Sequence, residues 1–433
     1  MIKSTLEGLS ILTSPPRPEG MPKAPVVRLQ DGLVLDDRVL ECPTLLLGSV
    51  GSGKSVLLSE IMTPILKEAE SCGDNVIIFC AKDEHLTRFR RPQDPVISVD
   101  TADPKSCWNI FRELKTSRDP SLTARDIAKS LTKDQRSSEA PFWENAANDL
   151  LYNSIMCMYD EAVCKGIEYT NAHLVDFING TTIQGGGDRP SWGELARLRP
   201  KYFGHVTDYL GDNLGQGYGI ISELRTLIHS CMWGSFCSDK GQFSAIETLK
   251  TSGHRIFLYY DYANASEASI KIFRTILNLL LKHSVDRRSD GRRTWFFIDE
   301  ASLLPATVLP DAMSLGRGNG FRLCLCLQSA QLMTRHYKED EAKALLALFP
   351  NVICLKVQDS LSRKVLSDRY GEALCSYSFT GSGQKLVQHS EHRPVVADYD
   401  FSAMLKNKGD ALCSFPNLSE SPFIYHGYRP KGV

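Results

Sequence analysis

The stretch GSVGSGKS, from Gly48 to Ser55, has the residue types and spacing of a loop that binds nucleotide phosphates. It fits the pattern G-x-x-x-x-G-K-[ST] and lies between an apolar run typical of a strand and the sequence KSVLLSEIM, which predicts a helix. The glycines let backbone amides turn toward the phosphates, and the helix N-terminus adds partial positive charge. The predicted nucleotide-binding residues are Gly48, Ser49, Val50, Gly51, Ser52, Gly53, Lys54, Ser55 and Val56.

Two side chains of this loop have specific roles in the predicted chemistry. Lys54 is expected to reach the β- and γ-phosphates, and the hydroxyl of Ser55 to ligate Mg²⁺. A plain glycine-rich turn between a strand and a helix needs neither a lysine nor a serine. The pattern therefore predicts ATP and Mg²⁺ as the ligands.

An acidic pair follows a second apolar run, in the sequence RTWFFIDEASLLP. Asp299, at the end of the predicted strand, can hold the metal opposite Ser55, and Glu300 can orient and deprotonate the attacking water. Such a pair can also simply cap the next helix. The apolar run before it and the phosphate-binding loop upstream favour the hydrolytic interpretation.

Two further candidates lie in SLGRGNGFRLCLCLQSAQLM. Gln328, at the end of another predicted strand, can sense the γ-phosphate because its amide both donates and accepts hydrogen bonds. Arg317 lies in a glycine-flanked turn. It is either a surface turn residue or a transition-state finger supplied across a subunit interface.

The order of elements along the 433 residues predicts the fold class. Apolar runs typical of strands occur at 44–48, 75–80, 96–99, 255–262, 294–298, 322–328 and 352–357. Most are separated by helical periodicity, which is typical of an α/β protein with a mainly parallel sheet. Almost no strand signal lies between residues 112 and 245, so an all-α domain is predicted there. The predicted domains are a flexible Pro-rich lead-in (1–26), a nucleotide-binding domain (27–111 and 246–433) and this all-α insertion (112–245).

Composition limits the classes of function. With 42% hydrophobic and 23% charged residues and a net charge of −1, the chain is an ordinary globular protein whose bulk charge does not attract nucleic acid. Any contact with DNA must come from local basic surface. The candidate clusters are RFRR (Arg88, Arg90 and Arg91) and DRRSDGRR (Arg287, Arg288, Arg292 and Arg293). Both clusters lie between predicted secondary-structure elements. Charge runs in such positions are more often solvated turns than pore loops.

Cysteine usage and hydropathy indicate the compartment. The thirteen cysteines are scattered through apolar runs without zinc spacing, which predicts buried free thiols in a reducing environment. No apolar run reaches the 18 to 20 residues of a membrane helix. We therefore expect no direct membrane span, and a location in the cytoplasm or peripherally at the inner face of the cell membrane.

Seven segments, in this order, carry a resemblance to a known family: GSVGSGKS, CAKDE, SCWNIF, FWENAANDLL, FIDEASLLP, GRGNGFRLCLCLQSAQL and DRYG. The chain resembles, from about residue 40 to 375, the type IV secretion coupling proteins of the TraD and TraG kind. These belong with the FtsK and HerA DNA pumps to one superfamily of P-loop NTPases. Individually the segments are weak, apart from the two nucleotide motifs, but together and in order they are specific.

The resemblance implies a RecA-like nucleotide-binding domain with an inserted all-α domain, assembled as a homo-hexameric ring. It implies an ATPase that couples hydrolysis to delivery of DNA, with its relaxosome, into a type IV secretion channel used in conjugation. By this similarity Lys54, Ser55, Asp299, Glu300 and Gln328 match the family's nucleotide site, and Arg317 matches its arginine finger.

Two departures from the family pattern leave alternatives open. Family members usually carry N-terminal membrane helices, which are not seen in this sequence, and AKDEH stands where an Asp-Pro-Lys-Gly-Glu-like turn is more frequent. Either the chain docks at the membrane through a partner, or the membrane portion was lost or lies on another chain. Two other functions also stay open: a coupling ATPase that recruits protein effectors without DNA, which the lack of obvious pore basicity favours, and an FtsK/HerA-like DNA pump unrelated to secretion. An assembly platform that binds nucleotide without hydrolysis is disfavoured by the presence of Lys54, Asp299 and Glu300.

Overall fold

The computed structural model describes residues 2–132, 141–182, 190–205, 214–285, 291–304, 307–380 and 386–427. Their strands, in chain order, are β1 (Ile2–Glu7), β2 (Val27–Arg28), β3 (Val34–Leu35), β4 (Thr44–Leu47), β5 (Asn75–Cys80), β6 (Val96–Ile97), β7 (Arg255–Tyr259), β8 (Thr294–Ile298), β9 (Phe321–Leu327), β10 (Asn351–Cys354), β11 (Glu372–Thr380), β12 (Leu386–Pro394), β13 (Ala411–Ser414) and β14 (Phe423–Tyr425).

The α-helices of the described residues are α1 (Asp37–Leu40), α2 (Lys54–Cys72), α3 (Asp83–Phe89), α4 (Ile110–Thr116), α5 (Pro120–Thr132), α6 (Pro141–Lys165), α7 (Asn171–Gly180), α8 (Trp192–Leu198), α9 (Pro200–Phe203), α10 (Leu214–Cys231), α11 (Ala245–Lys250), α12 (Ile270–Val285), α13 (Leu309–Leu315), α14 (Ala330–Met333), α15 (Glu339–Ala347), α16 (Ser360–Tyr370) and α17 (Asp400–Met404). Short 3₁₀ helices lie between them at Gln30–Gly32, Pro104–Ser106, Gly234–Cys237, Glu267–Ser269, Ala301–Leu303 and Arg317–Asn319.

One sheet of nine strands has the order β14-β13-β10-β4-β9-β8-β5-β7-β6. The pairs β10–β4, β4–β9, β8–β9 and β6–β7 are parallel, while β13 and β14 form an antiparallel edge. Every strand run predicted from the sequence is found within a few residues. The predicted α/β class with a mainly parallel sheet is therefore confirmed.

The chain divides into two compact units. One comprises Met1–Ile78, Val285–Pro305 and Leu309–Val433, and the other comprises Phe79–Ser284 and Ala306–Val308. These units are defined by compactness and differ from the domain bounds given above, which stay a prediction.

The first unit contains the strands that carry the nucleotide motifs. β4, β8 and β9 are buried along their whole length, as the apolar runs of the sequence require. A separate three-stranded sheet has the order β1-β11-β12, in which β11 and β12 form an antiparallel pair. Residues 2–7 of the predicted lead-in pair with β11 as strand β1, which the sequence pattern did not indicate.

Between residues 112 and 245 the described part of the second unit consists of helices and their connecting segments. Its only extended pairing is in two isolated bridges, Thr182 with Ser191 and Phe243 with Trp108. Helix α6 runs through this region and buries Leu150, Leu151 and Ile155 completely. Phe142, in the first turn of this helix, is 43% exposed. The absence of strand signal in the sequence thus predicted the helical content correctly.

One buried carboxylate in the second unit, that of Glu113, is satisfied by helix capping. Glu113, fully buried, accepts hydrogen bonds from the indole of Trp108 (2.9 Å) and the hydroxyl of Ser244 (2.6 Å). It also accepts from the backbone amides of Ala245 (2.6 Å) and Ile246 (3.0 Å), which lie in the first turn of α11. A carboxylate at this position caps the helix N-terminus, where backbone donors lack partners within the helix.

An ion-pair network lies at the amino end of the parallel sheet in the first unit. The carboxylate of Asp74, 3% exposed, accepts hydrogen bonds from the guanidinium of Arg293 (2.7 Å) and the indole of Trp295 (3.1 Å). Arg293 also pairs with Asp37, which pairs in turn with the buried Arg322 (both at 3.3 Å). The network fixes the residues that begin β5, β8 and β9.

This network corrects the prediction for part of a basic cluster. Arg293 is neither a solvated turn residue nor a pore residue, since its guanidinium is enclosed by carboxylates. In the other cluster, Arg91 pairs with the buried Asp94 (2.8 Å) and Arg88 stacks on Phe89. Arg287 and Arg288 lie outside the described residues.

The cysteines follow the prediction. All thirteen are free, and ten of them are buried. Among the described residues, no cluster of metal-ligating side chains is present. In the same part of the chain, no helix combines the length and apolar character needed to cross a membrane.

The Asp74 network generates a test of stability. We expect Asp74→Ala to lower the free energy of unfolding by about 3–5 kcal/mol, because it leaves the buried Arg293 guanidinium and the Trp295 indole without their carboxylate. Urea denaturation followed by tryptophan fluorescence measures this loss. Asp368→Ala, which removes an exposed carboxylate from α16, is the control and should stay within about 0.5 kcal/mol of the parent. An equally small change in Asp74→Ala would contradict the stabilising role of the network.

Candidate nucleotide-binding site

The register of the parallel strands brings the candidate residues to one edge of the sheet. Leu47 lies opposite Leu327, and Ile298 lies opposite Leu325. Because parallel strands end on the same side, the residues after β4, β8 and β9 meet there. The structure thus brings together the phosphate-binding loop, the acidic pair and Gln328.

The phosphate-binding loop adopts a conformation that depends on its glycines. Gly51 and Gly53 have φ of 76° and 107°, in the left-handed region that favours glycine. Gly48 has no room for a side chain, since a Cβ there would lie 2.7 Å from the Ser52 hydroxyl and 2.8 Å from Leu355 Cβ. Helix α2 begins at Lys54, so its N-terminus faces the loop, as predicted.

Two polar groups of the loop fit a phosphate ligand. The ammonium of Lys54 donates to the backbone carbonyls of Gly48 and Ser49, the latter at 3.1 Å. The hydroxyl of Ser52 is buried and has no hydrogen-bond partner among the described residues. A cation folded onto carbonyl oxygens and a buried hydroxyl without a partner are groups that phosphate oxygens can satisfy.

Other members of the predicted set differ in exposure. Ser55, at the second position of α2, is half-buried, whereas Val50 and Val56 are 80% and 46% exposed. The two valines can therefore contribute to phosphate binding through their backbone amides, since their side chains are largely exposed to solvent.

Glu300 is the most perturbed carboxylate at this edge. It is 9% exposed and accepts hydrogen bonds from the hydroxyl of Ser302 and the amide of Gln328. Burial raises its pKa, and the nearby charge of Asp299 adds to this effect, while the two hydrogen bonds and the charge of Lys54 oppose it. A raised pKa makes the carboxylate a stronger base.

The charged groups converge on the end of β9. Burial raises the pKa of the Cys326 thiol, and the charges of Asp299, Lys54 and Glu300 also act on it. Asp299 is 7% exposed and follows β8 directly. One lysine and two carboxylates thus lie near the carboxyl end of β9, which Gln328 follows.

Arg317 does not join this group. It lies in the 3₁₀ helix before β9, at the amino end of a strand whose seven residues span about 23 Å. Its guanidinium is 56% exposed and pairs with Glu41. Within one chain, Arg317 therefore lies at the opposite end of the sheet from Gln328.

The sequence did not predict the groups that form hydrogen bonds with Glu300 and with its neighbour Ser302. Ser302, two residues further on, donates to that carboxylate, and the carbonyl of Ser302 lies 3.0 Å from the His336 ring. A serine two residues after an acid is too common a pattern to be noticed. The contact with His336 depends on the fold.

A second omission lies on the other side of the loop. A cavity of about 220 Å³ is lined by Ser49, Val50, Gly51, Ser52, Lys356, Gln358, Lys406, Asn407 and Lys408. The sequence KNKGD at 406–410 is a basic turn about 350 residues after the phosphate-binding loop. Because of this separation, the sequence did not predict that the turn and the loop line one cavity.

Two family models match the chain. One is described as the type IV secretion-system coupling protein DNA-binding domain and matches residues 31–189. The other is described as the TraM recognition site of TraD and TraG and matches residues 293–401. Together the two models match more than half of the chain. No curated protein matches its sequence.

Solved structures share the fold. The bacterial conjugative coupling protein TrwBdeltaN70, in an unbound form, has a TM-score of 0.76 at 19% identity, covering 98% of this chain and 93% of its own. The plasmid coupling protein TrwB in complex with ADP and Mg²⁺ has a TM-score of 0.73 at 19% identity, covering 99% and 96%. VirB4 of Thermoanaerobacter pseudethanolicus is more distant, with a TM-score of 0.51 at 16% identity, covering 95% and 98%.

These similarities confirm the RecA-like fold with an all-α part that the sequence predicted. They also agree with the order of motifs from residue 40 to 375. The two family models, which together match more than half of the chain, show that this chain belongs to the family of type IV secretion coupling proteins.

Proposed function

We propose that the chain is a ring ATPase that couples ATP hydrolysis to the delivery of DNA into a type IV secretion channel during conjugation. The observation that carries the proposal is the convergence of Lys54, Glu300 and Gln328 at one end of the sheet. A site that only held nucleotide would not need a buried base linked to a glutamine amide. Membership of the coupling-protein family supplies the biological context.

Glu300 is the general base in this proposal. Its raised pKa suits proton abstraction from a water molecule, and its buried position excludes other water from the reaction. The amide of Gln328, which donates to Glu300, can also contact a γ-phosphate oxygen. Gln328 thereby links the state of the nucleotide to the position of the base.

Lys54 and the loop amides bind the phosphates. The ammonium of Lys54 exchanges its carbonyl partners, Gly48 and Ser49, for β- and γ-phosphate oxygens. Ser55 and Asp299 are the residues that would hold Mg²⁺. The metal, when bound, neutralises charge on the phosphate oxygens.

DNA and a relaxosome protein are the proposed partners. The match of residues 31–189 to a DNA-binding domain supports DNA, and the match of 293–401 to a TraM recognition site supports a relaxosome contact. We further propose a homo-hexamer, working in the cytoplasm or peripherally at the inner face of the cell membrane, where ATP and DNA are both present.

Arg317 is proposed to act on the nucleotide of a neighbouring subunit. Its exposed guanidinium lies too far from Gln328 of its own chain to reach the same phosphate. In a ring, the amino end of one sheet can face the carboxyl end of the next, and Glu41 then holds the arginine until the neighbour binds ATP.

The test of DNA coupling is steady-state ATP hydrolysis by the purified protein, with and without single- or double-stranded DNA. We expect DNA to raise the rate about tenfold or more, because a motor hydrolyses ATP productively only with its track. Lys54→Ala is the control and should be inactive in every condition. A wild-type rate that responds to neither DNA would contradict DNA coupling and favour the recruitment of protein effectors.

The test of Arg317 uses two inactive variants. Arg317→Ala and Lys54→Ala should each lose hydrolysis, but rings co-expressed from both should regain activity at about a quarter of their interfaces, where intact Lys54 meets an intact Arg317. Arg335→Ala, in which another exposed arginine is lost, should keep the wild-type rate. Full activity of Arg317→Ala alone, or no recovery in mixed rings, would rule out action across the interface.

A further inference from the structure

A cluster of lysines lies beside the phosphate-binding loop, on the side away from Glu300. Lys356, Lys406 and Lys408 line the cavity of about 220 Å³ together with the loop residues 49–52. All three are exposed, and within the described part of the chain their ammonium groups form no ion pair. Among the described residues that line the cavity, none is acidic or aromatic. The cavity is therefore electropositive.

The position of the cavity follows from the strand order. β4, which precedes the loop, lies between β9 and β10 in the sheet. Gln328 is the first residue after β9, and Lys356 is the second residue after β10. The ends of β9 and β10 are two strand spacings apart, about 10 Å. A nucleotide with its γ-phosphate at Gln328 would thus extend its other end toward Lys356.

The backbone of the loop is connected to β10. The amide of Ser49 donates to the carbonyl of Lys356 at 2.8 Å, and the amide of Leu355 donates to the carbonyl of Leu47 at 2.8 Å. These bonds fix Lys356 against the first turn of the phosphate-binding loop. The backbone of Lys356 is therefore held beside the loop.

The segment 406–410 is a built turn. Asp410, 2% exposed, accepts hydrogen bonds from the backbone amide (3.0 Å) and side-chain amide (2.9 Å) of Asn407. Gly409 has φ of 89° and lies 3.8 Å from where a Cβ on Gly53 would be. Gly427 leaves room for it, since a Cβ there would lie 2.2 Å from the Gly409 carbonyl. The turn thus presents Lys406 and Lys408 to the loop in a fixed backbone conformation.

We infer that Lys356, Lys406 and Lys408 form a subsite for the α-phosphate and ribose end of the bound nucleoside triphosphate. This inference rests on the proposed function, because it extends the same nucleotide site. Lysine ammonium groups bind phosphate as point charges, and among the described residues that line the cavity there is no aromatic ring to stack on a base. The site therefore holds the nucleotide by its charge and discriminates weakly between adenine and guanine.

The test is the Kd of non-hydrolysable ATP and GTP analogues, measured by calorimetry at two salt concentrations. For the double variant Lys406→Ala/Lys408→Ala we expect Kd for the ATP analogue to rise about three- to tenfold, with a smaller dependence on salt. The wild type should bind the two analogues within about threefold of each other. In hydrolysis assays the loss should appear in KM rather than in kcat.

The control is Lys67→Ala, which removes the same charge about 20 Å further along α2. Its Kd and salt dependence should match the wild type. An unchanged Kd in Lys406→Ala/Lys408→Ala would overturn the subsite, as would ATP binding a hundredfold tighter than GTP. A wild type that binds the ATP analogue but shows no hydrolysis with any DNA would overturn the proposed function alone.

Discussion

The parallel register of β4, β8 and β9 is the constraint on which the rest of the site depends. Gly48, whose amide donates to the carbonyl of Leu327, is tied directly to the strand that ends at Gln328. A slip of one residue in any of these strands would turn Asp299 or Gln328 to the other face of the sheet. At the opposite end, the ion pairs of Asp74 with Arg293 help to fix the same strands. The geometry of the candidate nucleotide site is thus set by interactions at both ends of these strands.

Burial gives this edge its chemical character. A carboxylate in water would be too weak a base, but Glu300 is enclosed by Ser302 and Gln328 and its pKa is raised by burial. The charge of Lys54 limits that rise, so the strength of the base depends on where the lysine lies. In the proposed function, nucleotide binding draws Lys54 toward the phosphates and so changes the electrostatics of Glu300. Under that proposal, one side chain couples nucleotide binding to the reactivity of the base.

Much of the fold could be predicted from the sequence, because local patterns determine it. Buried strands such as TWFFI give continuous apolar runs. The glycine spacing of GSVGSGKS, between a strand and a helix, predicts a phosphate-binding loop. The partners that come from distant segments could not be predicted. Arg293 looked like part of a basic turn because its carboxylates, Asp74 and Asp37, lie more than 200 residues away. The position of Lys406 and Lys408 beside the phosphate-binding loop could not be predicted for the same reason.

The two ends of the sheet also divide the work of the proposed ring. In the proposed function, the carboxyl end binds and cleaves the nucleotide, while the amino end, where Arg317 lies, presents this arginine to a neighbour. The claim on which this account depends is that Glu300 performs chemistry and does not merely hold ATP. The most direct measurement compares binding of an ATP analogue with hydrolysis in Glu300→Gln. The account predicts a Kd within about threefold of the wild type and hydrolysis reduced by about a hundredfold or more. Hydrolysis at a rate near that of the wild type would contradict it.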